Sequence, residues 1–161
     1  TTPWNIRRGG VQMADDWMGA KLALYIGDEI AVLQRDETPG LLWAGAWDLP
    51  GGGREDVDAD ALDCALRETR EELSLIIPRS AVIWGRRYVN SIGRGTWFFV
   101  GTVPAAVAND ITLGDEGQRW ALMPQGVFLA SACVVPQFKD RRTDYLEGVE
   151  SMTPTERPPA K

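Results

Sequence analysis

Apolar residues in this chain fall in short runs that predict strands on both sides of one amphipathic helix. The runs Lys21–Ile26 and Ile30–Arg35, separated by Gly-Asp-Glu, predict a β-hairpin. Further strands are predicted at Ala81–Val89, Thr96–Val103 and Trp120–Met123, with a short extended piece at Trp47–Pro50. Strands and helices alternate without regular βαβ spacing, which predicts a mixed α+β or layered α/β fold.

The predicted helix spans about Asp60 to Leu75. Asp60 is the expected N-cap, and Pro78 ends the helix. The apolar stripe that should face the core follows helical spacing and consists of Leu62, Ala65, Leu66, Thr69 and Leu73. A last helix is predicted over Gln137–Leu146.

The two ends of the chain differ from its centre. Residues 1–19 read as an irregular segment, and residues 149–161, with three prolines and few apolar positions, as a disordered tail. One domain is therefore expected over 20–148. Apolar runs stay well short of the roughly 18 residues of a membrane span. With two cysteines far apart, no signal-peptide pattern and no membrane partner, a cytoplasmic protein is expected.

The amino-acid composition limits the kinds of catalysis and metal binding that this chain can support. The 161 residues include no histidine, which excludes Ser-His-Asp and Cys-His catalysis and imidazole-bound zinc. The formal net charge of −6 argues against binding a nucleic acid polymer, which normally needs a basic patch. Acid–base or metal chemistry must then come from carboxylates, lysines, tyrosines or water.

Glu68, Glu71 and Glu72 stand at i, i+3 and i+4 and share one face of the predicted helix. Two lie near the helix C-terminus, where the macrodipole disfavours an anion by roughly 0.3–1 kcal/mol. Clustered carboxylates without imidazole or thiolate indicate a hard cation, Mg²⁺ or alternatively Mn²⁺. The alternative is a solvated face neutralised by Arg67 and Arg70. The glycine turn just upstream, Leu49–Gly53, favours the metal because it allows close ligand approach and leaves carbonyls free.

The segment Gly53–Leu75 resembles the Nudix box of the Nudix hydrolases, written G-x5-E-x7-R-E-U-x-E-E-x-G-U. Arg67-Glu68 and Glu71-Glu72 match its paired positions, and Leu75 matches the final apolar one. The first glutamate falls on Ala59 if Gly53 leads, or on Asp58 if Gly52 leads. Thr69 and Ser74 replace the usual aliphatic residue and glycine. The resemblance implies an α/β/α sandwich with a mixed sheet.

The resemblance also implies a reaction, the hydrolysis of a nucleoside diphosphate-linked substrate. The favoured substrate is a nucleoside triphosphate, including an oxidised purine, cleaved to monophosphate and pyrophosphate. The alternatives are ADP-ribose, a dinucleoside polyphosphate or a nucleotide sugar. A different class is a catalytically silent module that binds a nucleotide. The assembly is expected to be a monomer or a homodimer.

Residue roles follow from the same resemblance. Glu68 and Glu72 are expected to bind the metal directly, together with a main-chain carbonyl of Gly52 or Gly53. Glu71 is expected either to bind a second ion or to act as the base. Arg67 is expected to orient the carboxylates, with a surface ion pair as the alternative. Glu116 is a candidate for an extra acidic ligand or base, and Asp115 is the residue it could be confused with.

Substrate contacts are less well defined by sequence. Trp47 and Phe99 are candidates for stacking on a base, with core packing as the alternative for each. Arg35 and Arg54 are candidates for binding phosphate, with a solvated position as the alternative.

Overall fold

The computed structural model describes residues 16–41, 43–89 and 93–151. The predicted hairpin is present as strands β1 (Gly19–Ile26) and β2 (Glu29–Gln34), which pair antiparallel. Gly27 turns the chain with φ of 63°, a left-handed conformation that favours glycine.

Seven strands form one mixed sheet in the part of the chain that the structure describes. The other five are β3 (Trp47–Asp48), β4 (Gly51–Gly53), β5 (Val82–Val89), β6 (Gly95–Val103) and β7 (Arg119–Pro124). The order is β3-β2-β1-β6-β5, with β4 also paired to β1 and β7 to β2. The central β1–β6 pair is parallel and the remaining pairs are antiparallel.

Helices cover both faces of this sheet. Along β1, Leu22 and Leu24 belong to one core cluster and Ala23 and Tyr25 to the other, because successive strand residues point to opposite faces. Helix α1 (Ala61–Leu73) packs on the first face, whereas α2 (Gln125–Ala130) and α3 (Pro136–Ser151) are on the second. The expected α/β/α sandwich with a mixed sheet is confirmed.

The ends of α1 are fixed by polar contacts. Asp60 caps the N-terminus by accepting a hydrogen bond from the Asp63 amide at 2.8 Å, as predicted. Ser74 ends the helix in the left-handed conformation, with φ of 61°, where a glycine would be unstrained. Its hydroxyl donates to the Thr112 carbonyl at 2.9 Å. Thr69, in the usual aliphatic position, is fully buried and donates to the Ala65 carbonyl.

Several boundaries differ from the sequence predictions. Neither helix α2 nor the 3₁₀ helix at Ala105–Asp110, which follows β6, was predicted from the sequence. Helix α3 continues to Ser151, past the predicted end at Leu146 and into the first residues of the predicted tail. The remaining predicted tail, and most of the predicted irregular segment at 1–19, lie outside the described residues. In the part of the chain that is described, no helix combines the length and apolar composition needed to cross a bilayer.

Candidate metal and active site

Arg67 is the centre of a charge network on the polar face of α1. Its Nη1 lies 2.9 Å from Oε1 of Glu68 and 3.1 Å from Oε2 of Glu71, so it neutralises part of the acidic cluster. Its Nη2 donates to the Gly53 carbonyl at 3.1 Å. The Arg67 side chain is only 16% exposed. These contacts occupy the guanidinium, which leaves it positioned to orient carboxylates.

Asp58 completes this network from the loop after β4. It accepts hydrogen bonds from Nε of Arg67 at 2.8 Å and from Nη2 at 3.0 Å. Hydrogen bonding to the guanidinium lowers the pKa of the Asp58 carboxyl below its ordinary value of 3.8. Ala59 is exposed. Of the two alignments considered for the first acidic position of the box, the structure therefore supports the one through Asp58.

Three carboxylates converge beside this network. Glu55, Glu68 and Glu71 each place one carboxylate oxygen so that the three lie within 4.8 Å of one another. Burial raises the pKa of Glu68 even though Arg67 opposes that change. Glu55, in the loop after β4, was not singled out from the sequence. Its only signal in the sequence was its position two residues after the glycine run.

Glu72 lies deeper than the other three. Its Oε1 accepts a hydrogen bond from the Gly51 amide at 2.8 Å, which joins the glycine turn to the end of α1. Burial raises the pKa of Glu72 to about 7, more than the opposing hydrogen bond from Gly51 lowers it. A cation bound nearby would favour the ionised form of Glu72, because it attracts the charged carboxylate much more strongly than the neutral carboxyl group.

The glycine turn packs directly on these carboxylates. A Cβ added to Gly52 would lie 2.7 Å from Cδ of Glu68, so any larger residue would displace that side chain. The Gly52 and Gly53 carbonyls lie 3.6 and 3.5 Å from Sγ of Cys64. Burial raises the pKa of this thiol to about 12, so Cys64 is neutral and only a weak donor to them.

Glu116 reaches the site through backbone contacts at the end of α1. The Gly114 amide donates to the Glu72 carbonyl at 2.9 Å, and a Cβ at Gly114 would collide with the Glu71 carbonyl. This contact places the loop that carries Asp115 and Glu116 beside the helix. A cavity of about 450 Å³ is then lined by six acidic residues, namely Glu55, Glu68, Glu71, Glu72, Asp115 and Glu116.

A second cavity, of about 250 Å³, adjoins the first and shares Glu72 and Glu116 with it. Of the two neighbouring loop acids, Asp115 lines only the acidic cavity, whereas Glu116 lines both. Arg35 lines the second cavity and pairs with Asp48 at 2.9 Å. The predicted phosphate candidate Arg35 is therefore next to the carboxylates.

Asp48 also binds Lys21, at 3.2 Å, and neither residue was singled out from the sequence. The Lys21 ammonium donates as well to the Leu49 and Gly51 carbonyls, at 3.1 and 3.2 Å. Lys21 thus holds the turn that precedes the glycines. The two residues are 27 positions apart, and the sequence pointed to this region only through the extended piece predicted at Trp47–Pro50.

Three predicted substrate contacts lie elsewhere. Phe99 is fully buried and stacks on Trp97, with ring centroids 5.6 Å apart, so core packing replaces the expected base stacking. Arg54 lies over the Trp17 ring at 4.3 Å and is not among the residues that line either cavity. Trp47 is half-buried against the second core cluster, with the Arg119 guanidinium 5.1 Å from its ring.

The donor set fits a hard divalent cation. Every side chain that lines the larger cavity offers carboxylate oxygens, the ligands that Mg²⁺ and Mn²⁺ prefer. Arg67 offsets only part of this negative charge, and the glycine turn brings backbone oxygens close. Glu68, Glu71 and Glu72 from α1 and Glu55 from the loop are the residues that would hold the ion.

The family model for the NUDIX domain matches residues 20–134, most of the chain. The chain belongs to the Nudix hydrolase family, as its box and sandwich fold indicated. A search of curated proteins finds no match.

Solved structures with the same fold are distant in sequence. The MutT protein from Methanosarcina mazei is 21% identical with a TM-score of 0.60, covering 80% of this chain and 93% of its own. A C. elegans Ap4A hydrolase is 19% identical with a TM-score of 0.57, covering 81% and 98%. A bifunctional NMN adenylyltransferase/ADP ribose pyrophosphatase from Francisella tularensis, complexed with AMP and a Mn ion, is 18% identical with a TM-score of 0.63. The match covers 84% of this chain but only 42% of that protein.

Proposed function

We propose that this chain is a Mg²⁺-dependent Nudix pyrophosphohydrolase acting on a nucleoside diphosphate-linked substrate. The observation that carries the proposal is the convergence of Glu55, Glu68, Glu71 and Glu72 in one cavity beside Arg35. A diphosphate is multiply anionic and would be repelled by these carboxylates alone. A bound Mg²⁺ would neutralise that charge and lower the pKa of water.

The residues that line the two cavities have different roles in the proposed reaction. Glu68 and Glu72 are the direct metal ligands, supported by the Gly52 carbonyl. Glu71, with its side chain 55% exposed, either holds a second ion or accepts the proton of the attacking water. Glu116 is the second candidate for that base, since it lines both cavities. Arg35 binds phosphate oxygens from the adjoining cavity while Asp48 fixes one of its nitrogens.

The favoured substrate is a nucleoside triphosphate, with an oxidised purine included. Water adds to phosphorus, the α–β anhydride bond breaks, and the products are a monophosphate and pyrophosphate. The fold shared with the M. mazei MutT protein, at 21% identity, is compatible with this choice. ADP-ribose, dinucleoside polyphosphates and nucleotide sugars remain the alternatives. The nucleotide found with a Mn ion in the Francisella tularensis relative supports Mn²⁺ as a substitute metal.

A catalytically silent module was favoured only by the missing first glutamate of the box. The Asp58–Arg67 pair supplies a carboxylate at that place, which removes this support. All the later carboxylates are also present.

The test is a hydrolysis assay of the purified chain with each substrate class, in Mg²⁺ and in Mn²⁺, with products separated by chromatography. We expect monophosphate and pyrophosphate from triphosphates, and no turnover in EDTA. If ADP-ribose or a dinucleoside polyphosphate were cleaved faster than the triphosphates, the proposed substrate would change but the proposed reaction would stand. If the chain bound a nucleotide but hydrolysed none of the substrate classes, the proposed enzymatic activity would be wrong and the catalytically silent module would be favoured.

A further inference from the structure

A third cavity, of about 310 Å³, lies between the first two turns of α3 and the sheet, where β1 and β6 begin and β4 ends. None of the residues that line the acidic cavity lines this one. Gly52 lines it and also packs against Glu68, so the third cavity and the carboxylates share the glycine turn. Pockets for small organic molecules start at about 300 Å³, so this one is large enough to hold such a ligand.

The charge of this third cavity is opposite to that of the acidic cavity. Two cations, Lys21 and Arg141, are among the described residues that line it, and none of those residues is acidic. The acidic cavity is lined by six carboxylate side chains, and the whole chain has a formal net charge of −6. In the absence of metal, an anion would therefore be repelled from the acidic cavity and attracted to the third one.

Arg141 lacks the acidic partner that other arginines have. In the described part of the chain five arginines pair with carboxylates, namely Arg35, Arg67, Arg79, Arg86 and Arg87. Arg141 forms no ion pair with a described residue and donates no hydrogen bond to one. Burial lowers the pKa of Arg141 below its ordinary value of 12.5, and the charge of Asp144 opposes this only in part. The Lys21 ammonium already donates to Asp48 and to two main-chain carbonyls, so Arg141 is the cation with unused donors.

Aromatic rings hold the Arg141 guanidinium in place. Its central carbon lies 4.6 Å from the ring centroid of Tyr88 and 5.9 Å from that of Phe138. Tyr88 is itself fixed, because its hydroxyl donates to Asp144 at 2.7 Å. These contacts position the guanidinium without using its N–H groups, which remain available for the oxygens of a ligand.

The other lining residues fit a ligand with an apolar body. Trp97 and Phe138 are buried and Met18 is half-buried, and all three line the cavity. Thr96 lines it as well, and its buried hydroxyl has no hydrogen-bond partner among the described residues. A buried hydroxyl without a partner costs free energy, and an acceptor on a ligand would supply the missing partner. Mostly apolar walls with a few polar groups are typical of small-molecule sites.

We propose that this cavity binds a small organic anion, a carboxylate or phosphate group on an apolar body, with the anionic group at Arg141. The forked donors of a guanidinium match two oxygens of either group, and such charge-assisted hydrogen bonds are stronger than neutral ones. The proposal does not rest on the proposed function, because none of the carboxylates assigned to the metal lines this cavity.

The test measures binding of benzoate and of phenyl phosphate to the metal-free protein in EDTA. Dissociation constants follow from the rise in melting temperature with ligand concentration. At least one of the two anions should bind, and neutral benzamide, which carries the same ring, should bind about tenfold more weakly or worse. Arg141→Gln should raise the dissociation constant of the anion about tenfold or more, because a charged hydrogen-bond donor is lost. Lys139→Gln removes a cation from the same helix that does not line the cavity, and it should bind as wild type.

The two anions distinguish the two ligand chemistries. Tighter binding of benzoate would identify a carboxylic acid, and tighter binding of phenyl phosphate would identify a phosphate monoester. The proposal is overturned if neither anion binds to the wild type, if benzamide binds as tightly as the anions, or if Arg141→Gln binds them as the wild type does.

A second variant covers the case in which Arg141→Gln does not fold. Arg141→Lys keeps the charge but loses the fork, so its affinity should be clearly lower than that of Lys139→Gln. Equal affinities in these two variants would also overturn the proposal. Since all measurements are made in EDTA and need no turnover, their failure would leave the proposed hydrolase activity untouched.

Discussion

Asp58 and Arg67 form a two-pronged ion pair that joins the loop after β4 to helix α1. The same carboxylate accepts the Glu55 amide at 2.8 Å, so it fixes the loop that carries a further acidic residue of the site. Arg67 in turn contacts Glu68 and Glu71. Asp58 is therefore a positioning residue for at least three carboxylates. Its own side chain is only 2% exposed and lines neither cavity.

Replacing Asp58 by Asn should reduce both stability and activity. The charge is lost and an amide group would face the donors of Arg67. We expect the free energy of unfolding to fall by about 2–3 kcal/mol. This loss is at or below the low end of the values for a broken buried ion pair, because Arg67 would still contact the carboxylates of Glu68 and Glu71. Urea unfolding would measure the change. Asp56→Asn, in the same loop but exposed, is the matched control and should alter stability little. A wild-type midpoint in Asp58→Asn would contradict the positioning role.

The stability that Asp58 contributes should also depend on pH. The folded protein lowers the pKa of this carboxyl below its ordinary value of 3.8, so the folded state favours the ionised form. That contribution is fully present above 3.8 and is lost as the pH falls through the lower, folded-state pKa. The stability difference between wild type and Asp58→Asn should therefore shrink in acid. A difference that grew as the pH fell would have the wrong sign.

Gly52 and Gly53 should tolerate substitution very differently. A methyl group on Gly52 would lie 2.7 Å from the Glu68 carboxyl carbon, whereas one on Gly53 would have its nearest neighbour, the Met18 carbonyl, at 4.0 Å. Gly52→Ala should therefore displace Glu68 and abolish the Mg²⁺-dependent rise in melting temperature, which reports binding to the folded state. Gly53→Ala should retain it. The argument fails if both variants respond to Mg²⁺ as the wild type does.

Arg142 on α3 is a buried cation with incomplete hydrogen bonding. Its Nη2 donates to Gln125 at 2.7 Å, but Nε and Nη1 find no partner among the described residues. The ring centroids of Tyr25 and Tyr145 lie 4.6 and 4.8 Å from the guanidinium carbon, and burial lowers the pKa of Arg142 to about 10. Arg142→Met should raise the free energy of unfolding by about 1 kcal/mol, because an apolar side chain of similar size needs no such partners.

Arg142→Lys provides the comparison, since it keeps the charge in the same apolar surroundings. Chemical denaturation should rank Met above wild type and Lys below it. If Met were instead the least stable of the three, the aromatic contacts and the bond to Gln125 would outweigh the cost of burying the charge.

The helix and its carboxylates could be predicted because they depend on neighbours within one or two turns. The spacing of Glu68, Glu71 and Glu72 fixes a shared face whatever the rest of the chain does. Asp60 and Arg67 were predictable for the same reason. Asp58 could be proposed only as an alternative, because one residue more or less in a loop changes which side chain reaches the helix.

The rest of the site depends on contacts between distant segments. Glu116 reaches the cavity because Gly114 binds the end of α1, and Arg35 meets Asp48 only when β2 pairs with β3. The positions of the aromatic side chains of β6 could not be predicted for a different reason. Phe98 and Phe99 are both fully buried because the two faces of this strand are covered by helices, so its apolar run has no polar side to indicate a ligand.

The most direct test of the central claim is the activity of Glu72→Gln. The amide keeps the shape of the side chain and can still accept the Gly51 hydrogen bond, but it removes the charge that a divalent cation requires. In the presence of Mg²⁺ we expect pyrophosphate release from nucleoside triphosphates to be abolished, while the metal-free melting temperature stays at or above that of the wild type. A folded Glu72→Gln protein that releases pyrophosphate at the wild-type rate would contradict the account.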